Sequence, residues 1–174
     1  WTATKKDLAD MLALARRPDH LRKRVTWLVI GPDGEAEYVK QLRQLAGSVD
    51  CDVRLLGSRS NEEIRDIYGA ADLFCLTGLP DSSGRVEGFG LVYLEAGAGQ
   101  LPSIATAVGG VPDAITDQES GLLVPPDTDS IARAITLLTA DYDRRKSLAG
   151  GAFAHSQKDS LERWTAATSG MPHA

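Results

Sequence analysis

Short apolar runs alternate with helix-like segments along most of this chain. The apolar runs have the length of strands and occupy residues 25–30, 52–56, 72–77, 103–106 and 121–124. Between them lie segments whose apolar residues follow helical spacing, such as 35–45 and 130–138. Nearly continuous apolar runs are typical of strands that are buried on both faces of a parallel sheet. The alternation therefore predicts an α/β fold: a Rossmann-like parallel sheet with helices on both faces, joined by right-handed crossovers.

Capping residues and glycines predict where helices begin and end. Ser60, with Glu63 three residues later, has the form of a capping box at a helix N-terminus. Asp113 follows a Gly-Gly-Val-Pro turn, and we expect its side chain to cap the short helical turn that it opens. Gly150-Gly151 predicts a break between two C-terminal helices, so that residues 151–174 form a last helix and a tail.

Size and composition narrow the class of protein. The chain has 174 residues, which suffice for one α/β domain with a sizeable core, and we expect a single domain over 1–174. It begins at Trp1 rather than Met, and we interpret it as a fragment of a longer protein. A net charge of −5 without a dense Lys/Arg cluster argues against a nucleic-acid partner. No run reaches ~18 apolar residues, so no membrane span is expected.

The cysteines and histidines suggest no metal site. Cys51 and Cys75 form no C-x-x-C pair, and the three histidines are scattered along the chain. The sequence therefore predicts neither a metal nor another cofactor. Reduced cysteines and the absence of a signal peptide favour a cytoplasmic location.

One stretch, from Glu87 to Glu95, combines two carboxylates with a glycine-rich loop and an apolar helix. Seven residues separate the two glutamates, and the helix should begin near Gly90. A helix N-terminus presents unpaired N–H groups and a partial positive charge, and glycines let a phosphate approach the backbone. Glu95, about one and a half turns into the helix at ~3.6 residues per turn, could accept hydrogen bonds from paired hydroxyls such as those of a ribose. Both glutamates could equally be solvated surface charges.

Two other hypotheses remain open at this point. A dinucleotide-binding domain requires Gly-x-Gly-x-x-Gly between a strand and a helix, and Gly31-Pro32-Asp33-Gly34 does not fit that pattern. A non-catalytic Rossmann-like nucleotide-binding or interaction domain is the alternative. The presence of both Glu87 and Glu95 argues against such a degenerate relative.

Six collinear segments resemble the C-terminal, nucleotide-sugar-binding half of retaining GT-B glycosyltransferases of the group 1 type, which carry an E-x7-E signature. An E-x7-E pair alone would be weak evidence, but the segments follow the family's order and spacing over roughly residues 25–140. They are Leu56-Gly57, 67–72, 87–96, Leu101-Pro102, 109–113 and 121–126.

The resemblance implies roles for particular residues. Glu87 would contact the donor sugar near the reacting carbon and is the expected catalytic residue, and Glu95 would hold the ribose hydroxyls. The loop and first helical turn would meet the sugar hydroxyls and the diphosphate, through Gly88, Phe89, Gly90 and Leu91. Arg59 would lie near the base. The family's phosphate-binding Lys would correspond to Lys5 or Lys6, and its Arg partner would precede Trp1. Arg85 could reach a phosphate or simply be exposed to solvent.

The resemblance also implies the reaction. A hexose would pass from a nucleoside diphosphate sugar to an acceptor hydroxyl with retention of configuration, without a metal. The acceptor, whether a glycan, a lipid or a small molecule, would bind through a missing N-terminal domain. We therefore expect the isolated chain to be inactive, and the full-length protein could contact a membrane peripherally.

Overall fold

The computed structural model describes residues 25–31, 36–48, 51–77 and 90–169. Strands and helices alternate through these residues, as the apolar pattern predicts. In chain order the elements are β1 (Thr26–Ile30), α1 (Ala36–Ser48), β2 (Asp52–Gly57), α2 (Asn61–Ala70), β3 (Phe74–Leu76), α3 (Leu91–Ala98), β4 (Ser103–Thr106), α4 (Val111–Ala114), β5 (Gly121–Val124), α5 (Thr128–Ala140) and α6 (Tyr142–Ser169).

Every strand pairing in the described part of the chain is parallel. β1 pairs with β2, and β4 lies between β3 and β5. In the second set Ile104 lies opposite both Cys75 and Leu122. The strands thus form two hydrogen-bonded groups, whereas the sequence predicted one sheet. The indole of Trp27, from β1, packs against the core that covers β4 and β5 and so connects the two groups.

Helices cover both faces of the three-stranded sheet, which confirms the predicted layering. On one face, Ile104 and Leu122 pack against α5 and α6, with Leu138 and Leu148 fully buried between them. On the other face, a second cluster joins the sheet to α3 and α4; its buried members are Leu76, Tyr93, Ala105, Val111, Ala114 and Ile115. Burial of each large apolar side chain contributes about 1.5–3 kcal/mol, so the second cluster holds α3 against the strands.

The predicted break at Gly150-Gly151 is wrong, because α6 runs without interruption from Tyr142 to Ser169. Gly151 lies where the helix crosses the turn before β5. A Cβ atom at this residue would stand 1.9 Å from the backbone oxygen of Glu119. The glycine therefore permits a close approach between helix and turn, and the burial of Leu148 and Ala152 on either side offsets its low helix propensity.

The two predicted caps have different outcomes. At α2 the capping box is present: Ser60 Oγ accepts from the N–H of Glu63, and the N–H of Ser60 donates to Glu63 Oε2 at 2.8 Å. At α4 the prediction is wrong, because Gly110 occupies the N-cap and no side chain caps the helix. Asp113 already lies within the first turn of α4. Its negative charge interacts favourably with the helix dipole there, but its side chain is past the N-cap position from which a side chain accepts hydrogen bonds from the free N–H groups.

None of the described helices is long and apolar enough to cross a membrane.

Candidate functional site

The carboxyl ends of β3, β4 and β5 lie along one edge of their sheet because the strands are parallel and in register. Thr77 follows β3 at this edge, and the Val108–Gly110 turn follows β4. α3 connects β3 to β4, and it must run back across the sheet to do so. Its N-terminus therefore lies at the carboxyl edge, which is where ligands of such sheets bind.

Gly90 sets the start of α3. Its backbone is left-handed, with φ 73° and ψ 51°, a conformation that strongly favours glycine. Gly90 is buried, and its carbonyl accepts from the N–H of Tyr93 at 2.9 Å. Glycine has no side chain, so this N-cap residue leaves the first-turn N–H groups without a side-chain acceptor of its own. The first-turn N–H groups, including that of Leu91, are thus oriented toward the carboxyl edge as an anion would require.

Leu91 and Glu95 form the exposed stripe of α3. They are four residues apart, one turn along the helix, and therefore lie on the same face. Leu91 is 50% exposed and Glu95 is exposed, whereas Tyr93, Ala96 and Gly97 are buried. An apolar side chain left exposed at a helix N-terminus, next to a carboxylate, suits contact with a ligand that has both apolar and hydroxyl groups. The structure therefore places Gly90, Leu91 and Glu95 at the start and along one exposed face of α3, and their roles in binding stay predictions.

A chain of aromatic rings supports this helix from beneath. The ring of Tyr93 meets Phe74 edge to face at 5.7 Å, and Phe74 meets Tyr68 in the same way at 5.9 Å. The buried hydroxyl of Tyr93 donates to the carbonyl of Leu76 at 2.9 Å. α3 is thus fastened to β3 by a directed hydrogen bond as well as by apolar contact, and this fixes the height of its N-terminus above the sheet edge.

Tyr68, which had no predicted role, packs against the C-terminal end of α3: a Cβ atom at Gly99 would stand 2.9 Å from the Cβ atom of Tyr68. Burial raises the pKa of Tyr68 to about 12, and the negative charge of Glu95 adds to the effect. The phenol therefore remains protonated at neutral pH. Thr77, at the carboxyl edge, also had no predicted role: it is 1% exposed, and Oγ1 has no hydrogen-bond partner among the residues that the structure describes. The sequence feature that could have indicated its position at this edge is its place at the end of the apolar run 72–77.

Arg59 lies after β2, at the carboxyl end of the other strand pair. Its guanidinium donates to the carbonyl of Ser58 at 3.0 Å and stands 3.8 Å from the carboxylate of Glu63. The side chain is about one-third exposed. Within the described contacts Arg59 therefore holds the first turn of α2, and nothing joins it to Glu95.

The remaining predicted site residues lie outside the described residues. These are Lys6, Glu87, Gly88 and Phe89, together with Lys5 and Arg85. Their roles stay predictions. Among the side chains that the structure describes, no group of three or more His, Cys, Asp or Glu could hold a metal ion.

Comparison with known proteins gives a consistent result. The sequence profile of the family described as Glycosyl transferases group 1 matches residues 4–141. A D-inositol 3-phosphate glycosyltransferase of Saccharomonospora viridis is 38% identical over 158 residues, which cover 88% of this chain and 35% of that protein. The chain thus spans about a third of the length of this curated relative.

Solved structures show the same fold. Anabaena Alr3699/HepE, in complex with UDP and glucose, matches with a TM-score of 0.77 at 24% identity, over 97% of this chain and 46% of that one. The C-terminal domain of a group 1 family glycosyl transferase (LpcC) from Francisella tularensis matches with a TM-score of 0.62 at 25% identity, over 88% of this chain and 77% of that one. These likenesses confirm the Rossmann-like half of a GT-B fold.

Proposed function

Since the chain belongs to the glycosyl transferases group 1 family, we propose that it is the donor-binding domain of a retaining hexosyltransferase. The full enzyme moves a hexose from a nucleoside diphosphate sugar to an acceptor hydroxyl and preserves the anomeric configuration. The observation that carries the proposal is the arrangement at α3: a helix N-terminus with a glycine N-cap at the carboxyl edge of the sheet, with Glu95 one turn along from Leu91 on the same exposed face.

The two ends of this arrangement suit the two ends of a nucleoside diphosphate. Negative charge on the diphosphate grows as the glycosidic bond breaks, and backbone N–H groups at Gly90 and Leu91 stabilise it. Glu95 accepts hydrogen bonds from the ribose hydroxyls. At a rise of ~1.5 Å per residue, the Cα atom of Glu95 lies roughly 6 Å along the helix axis from that of Leu91. This distance is comparable with the spacing of phosphate and ribose in a nucleotide.

The other predicted residues complete the proposed site. Glu87 is the catalytic residue, in contact with the donor sugar near the reacting carbon, while Gly88 and Phe89 offer backbone N–H groups to the sugar and the diphosphate. Lys6 contributes positive charge to the diphosphate. Arg59 lies near the base, and its present contacts with Ser58 and Glu63 keep it at the carboxyl edge of β2. No metal or other cofactor is required for donor binding.

The chain, over 1–174, is one nucleotide-sugar-binding domain of a longer two-domain enzyme. Its relative from Saccharomonospora viridis is about two and a half times as long, and the solved LpcC domain is a C-terminal domain by itself. The acceptor, a glycan, a lipid or a small molecule, binds in the N-terminal half. We therefore expect no sugar transfer by the 174-residue chain. The enzyme works in the cytoplasm, where its N-terminal half could contact the membrane surface.

Calorimetric titration of the chain with UDP, GDP and ADP tests the proposal. One of the three should bind, and Glu95→Ala should weaken it about 10- to 100-fold, the effect of losing hydrogen bonds to a charged acceptor. Glu119→Ala is the matched control: it removes an exposed carboxylate from the turn that precedes β5, at the opposite edge of the sheet. Equal binding by wild type and both variants would contradict the proposed site. A chain that binds none of the three would favour a non-catalytic relative.

Titration of Arg59→Ala with the same nucleotide tests the proposed place of the base. We expect weaker binding than for Arg65→Ala, which removes an exposed arginine from the middle of α2. Equal affinities of these two variants would remove Arg59 from the proposed site.

A further inference from the structure

Tyr93 holds the first turn of α3 at two points. It is the third residue of the helix and is 3% exposed. Its N–H donates to the carbonyl of Gly90 at 2.9 Å and so closes the first turn. Its hydroxyl donates to the carbonyl of Leu76, the last residue of β3, also at 2.9 Å. One residue therefore joins the turn that begins α3 to the carboxyl end of β3.

The ring of Tyr93 is fixed by its surroundings. It meets Phe74 edge to face, with the ring centroids 5.7 Å apart and an angle of 77° between the planes. Around it lies the cluster that joins the sheet to α3 and α4, with Ala105 and Val111 fully or almost fully buried. Phenylalanine would fill the same space, so the hydroxyl can be removed while the packing of the ring is kept.

The other half of α3 is held by a different contact. A Cβ atom at Gly97 would stand 2.7 Å from the backbone oxygen of Ala152, so α3 and α6 cross closely there. This crossing does not involve Tyr93. Loss of the Tyr93 hydroxyl should therefore loosen the N-terminal turn of α3 and leave the part of the helix near Gly97 in place.

The position of the first turn matters for an anion. Gly90, which begins the helix, has a left-handed backbone and no side chain, so it cannot anchor the turn by a side-chain contact of its own. Backbone N–H groups stabilise a charged ligand best when they are already fixed in the geometry that the ligand needs. The bond from Tyr93 to Leu76 supplies such a fixed reference, because it ties the turn to the end of a strand.

We propose that Tyr93 is a positioning residue, which sets the N–H groups at the start of α3 for the diphosphate of the donor. The proposal rests on the diphosphate-binding role given above to Gly90 and Leu91. Tyr93 is buried beneath the helix and acts on the diphosphate through the first turn, without contact with the ligand. Its effect should therefore fall on the phosphates of the nucleotide and not on the ribose.

The test compares two ligands that differ only in the phosphates. The probes are the nucleoside diphosphate that binds most tightly among UDP, GDP and ADP, and the corresponding nucleoside. Both are titrated and followed by ¹⁵N NMR, which also measures weak binding. We expect Tyr93→Phe to weaken binding of the diphosphate about three- to tenfold, the range for one hydrogen bond, and to leave binding of the nucleoside unchanged. Glu95→Ala should weaken both probes by similar factors, because they share the ribose.

Ile135→Val is the matched control for stability. It removes one buried carbon from the cluster on the other face of the sheet, so it should lower the melting temperature without changing either affinity. Equal weakening of both probes by Tyr93→Phe, or no weakening of either, would overturn the inference and leave the donor site intact. Unchanged binding of the diphosphate by Glu95→Ala, or no binding of any of the three nucleotides, would overturn the proposed function and this inference with it.

Discussion

The two adjacent glycines of α6 should respond in opposite ways to alanine. At Gly151, an added Cβ atom would lie 1.9 Å from the backbone oxygen of Glu119 and 2.8 Å from its carbon. At Gly150, nothing lies within 4 Å of the same atom. The pair therefore separates helix propensity, which favours alanine at both residues, from the close approach of α6 to the turn, which forbids it at one.

The expected loss of stability follows from the contact between the added Cβ atom at Gly151 and the backbone of Glu119. Real Cβ atoms do not come closer than 3.0 Å to other atoms, so Gly151→Ala must displace the helix or the turn by about 1 Å. The turn resists, because the N–H and the carbonyl of Thr116 are both bonded to Ser120. Overpacking of this kind costs ~1–3 kcal/mol, and the gain in helix propensity offsets ~0.5–1 kcal/mol of it. We expect a net loss of about 2 kcal/mol for Gly151→Ala, and a gain of up to ~1 kcal/mol for Gly150→Ala.

Thermal unfolding followed by circular dichroism measures the stability of both variants. For a chain of this length 1 kcal/mol shifts the melting temperature by roughly 2–4 °C, so Gly151→Ala should lower it by about 4–8 °C and Gly150→Ala should raise it slightly. Because α6 packs against α3, Gly151→Ala should also weaken nucleotide binding. If both variants were equally stable, or if Gly150→Ala were the worse of the two, the helix would not cross the turn as described.

Two further predictions concern the supports of the site. Tyr93→Phe removes the bond to Leu76 O and should cost about 1–2 kcal/mol by urea unfolding, whereas Tyr142→Phe should be neutral. In the capping box, hydrogen bonds from Ser60 hold the pKa of Glu63 below its ordinary value of 4.5. Its stabilisation is therefore complete above that pH and is lost as the pH falls through the lower, folded value. Ser60→Ala should lower the melting temperature at neutral pH and reduce its fall in acid; Ser58→Ala should do neither, and identical acid profiles would contradict the cap.

Much of the fold could be predicted because its signals are local. β4 and β5 begin and end at the predicted residues, since each is a short apolar run bounded by glycine or proline. The capping box of α2 depends on two residues three apart, and both of its hydrogen bonds are present. Gly90 could be placed at the start of α3 because glycine is the residue that adopts a left-handed N-cap readily.

The two wrong predictions have different causes. Gly151 looks like a helix break when only its neighbours are considered, and the reason for it lies 32 residues earlier, at Glu119. Asp113 was misplaced by one turn because Gly110, and not the acidic residue, forms the N-cap.

The central claim is that a nucleoside diphosphate binds at the N-terminus of α3 and along its exposed face. Backbone amide resonances, followed by ¹⁵N NMR while the tightest-binding of UDP, GDP and ADP is added, test it residue by residue. We expect the largest shifts on Gly90, Leu91 and Val92, with a second group around Glu95, and we expect Glu95→Ala to reduce them strongly at the same nucleotide concentration. Saturable shifts that are concentrated elsewhere, for example along β1 and α1, with α3 unaffected, would contradict it.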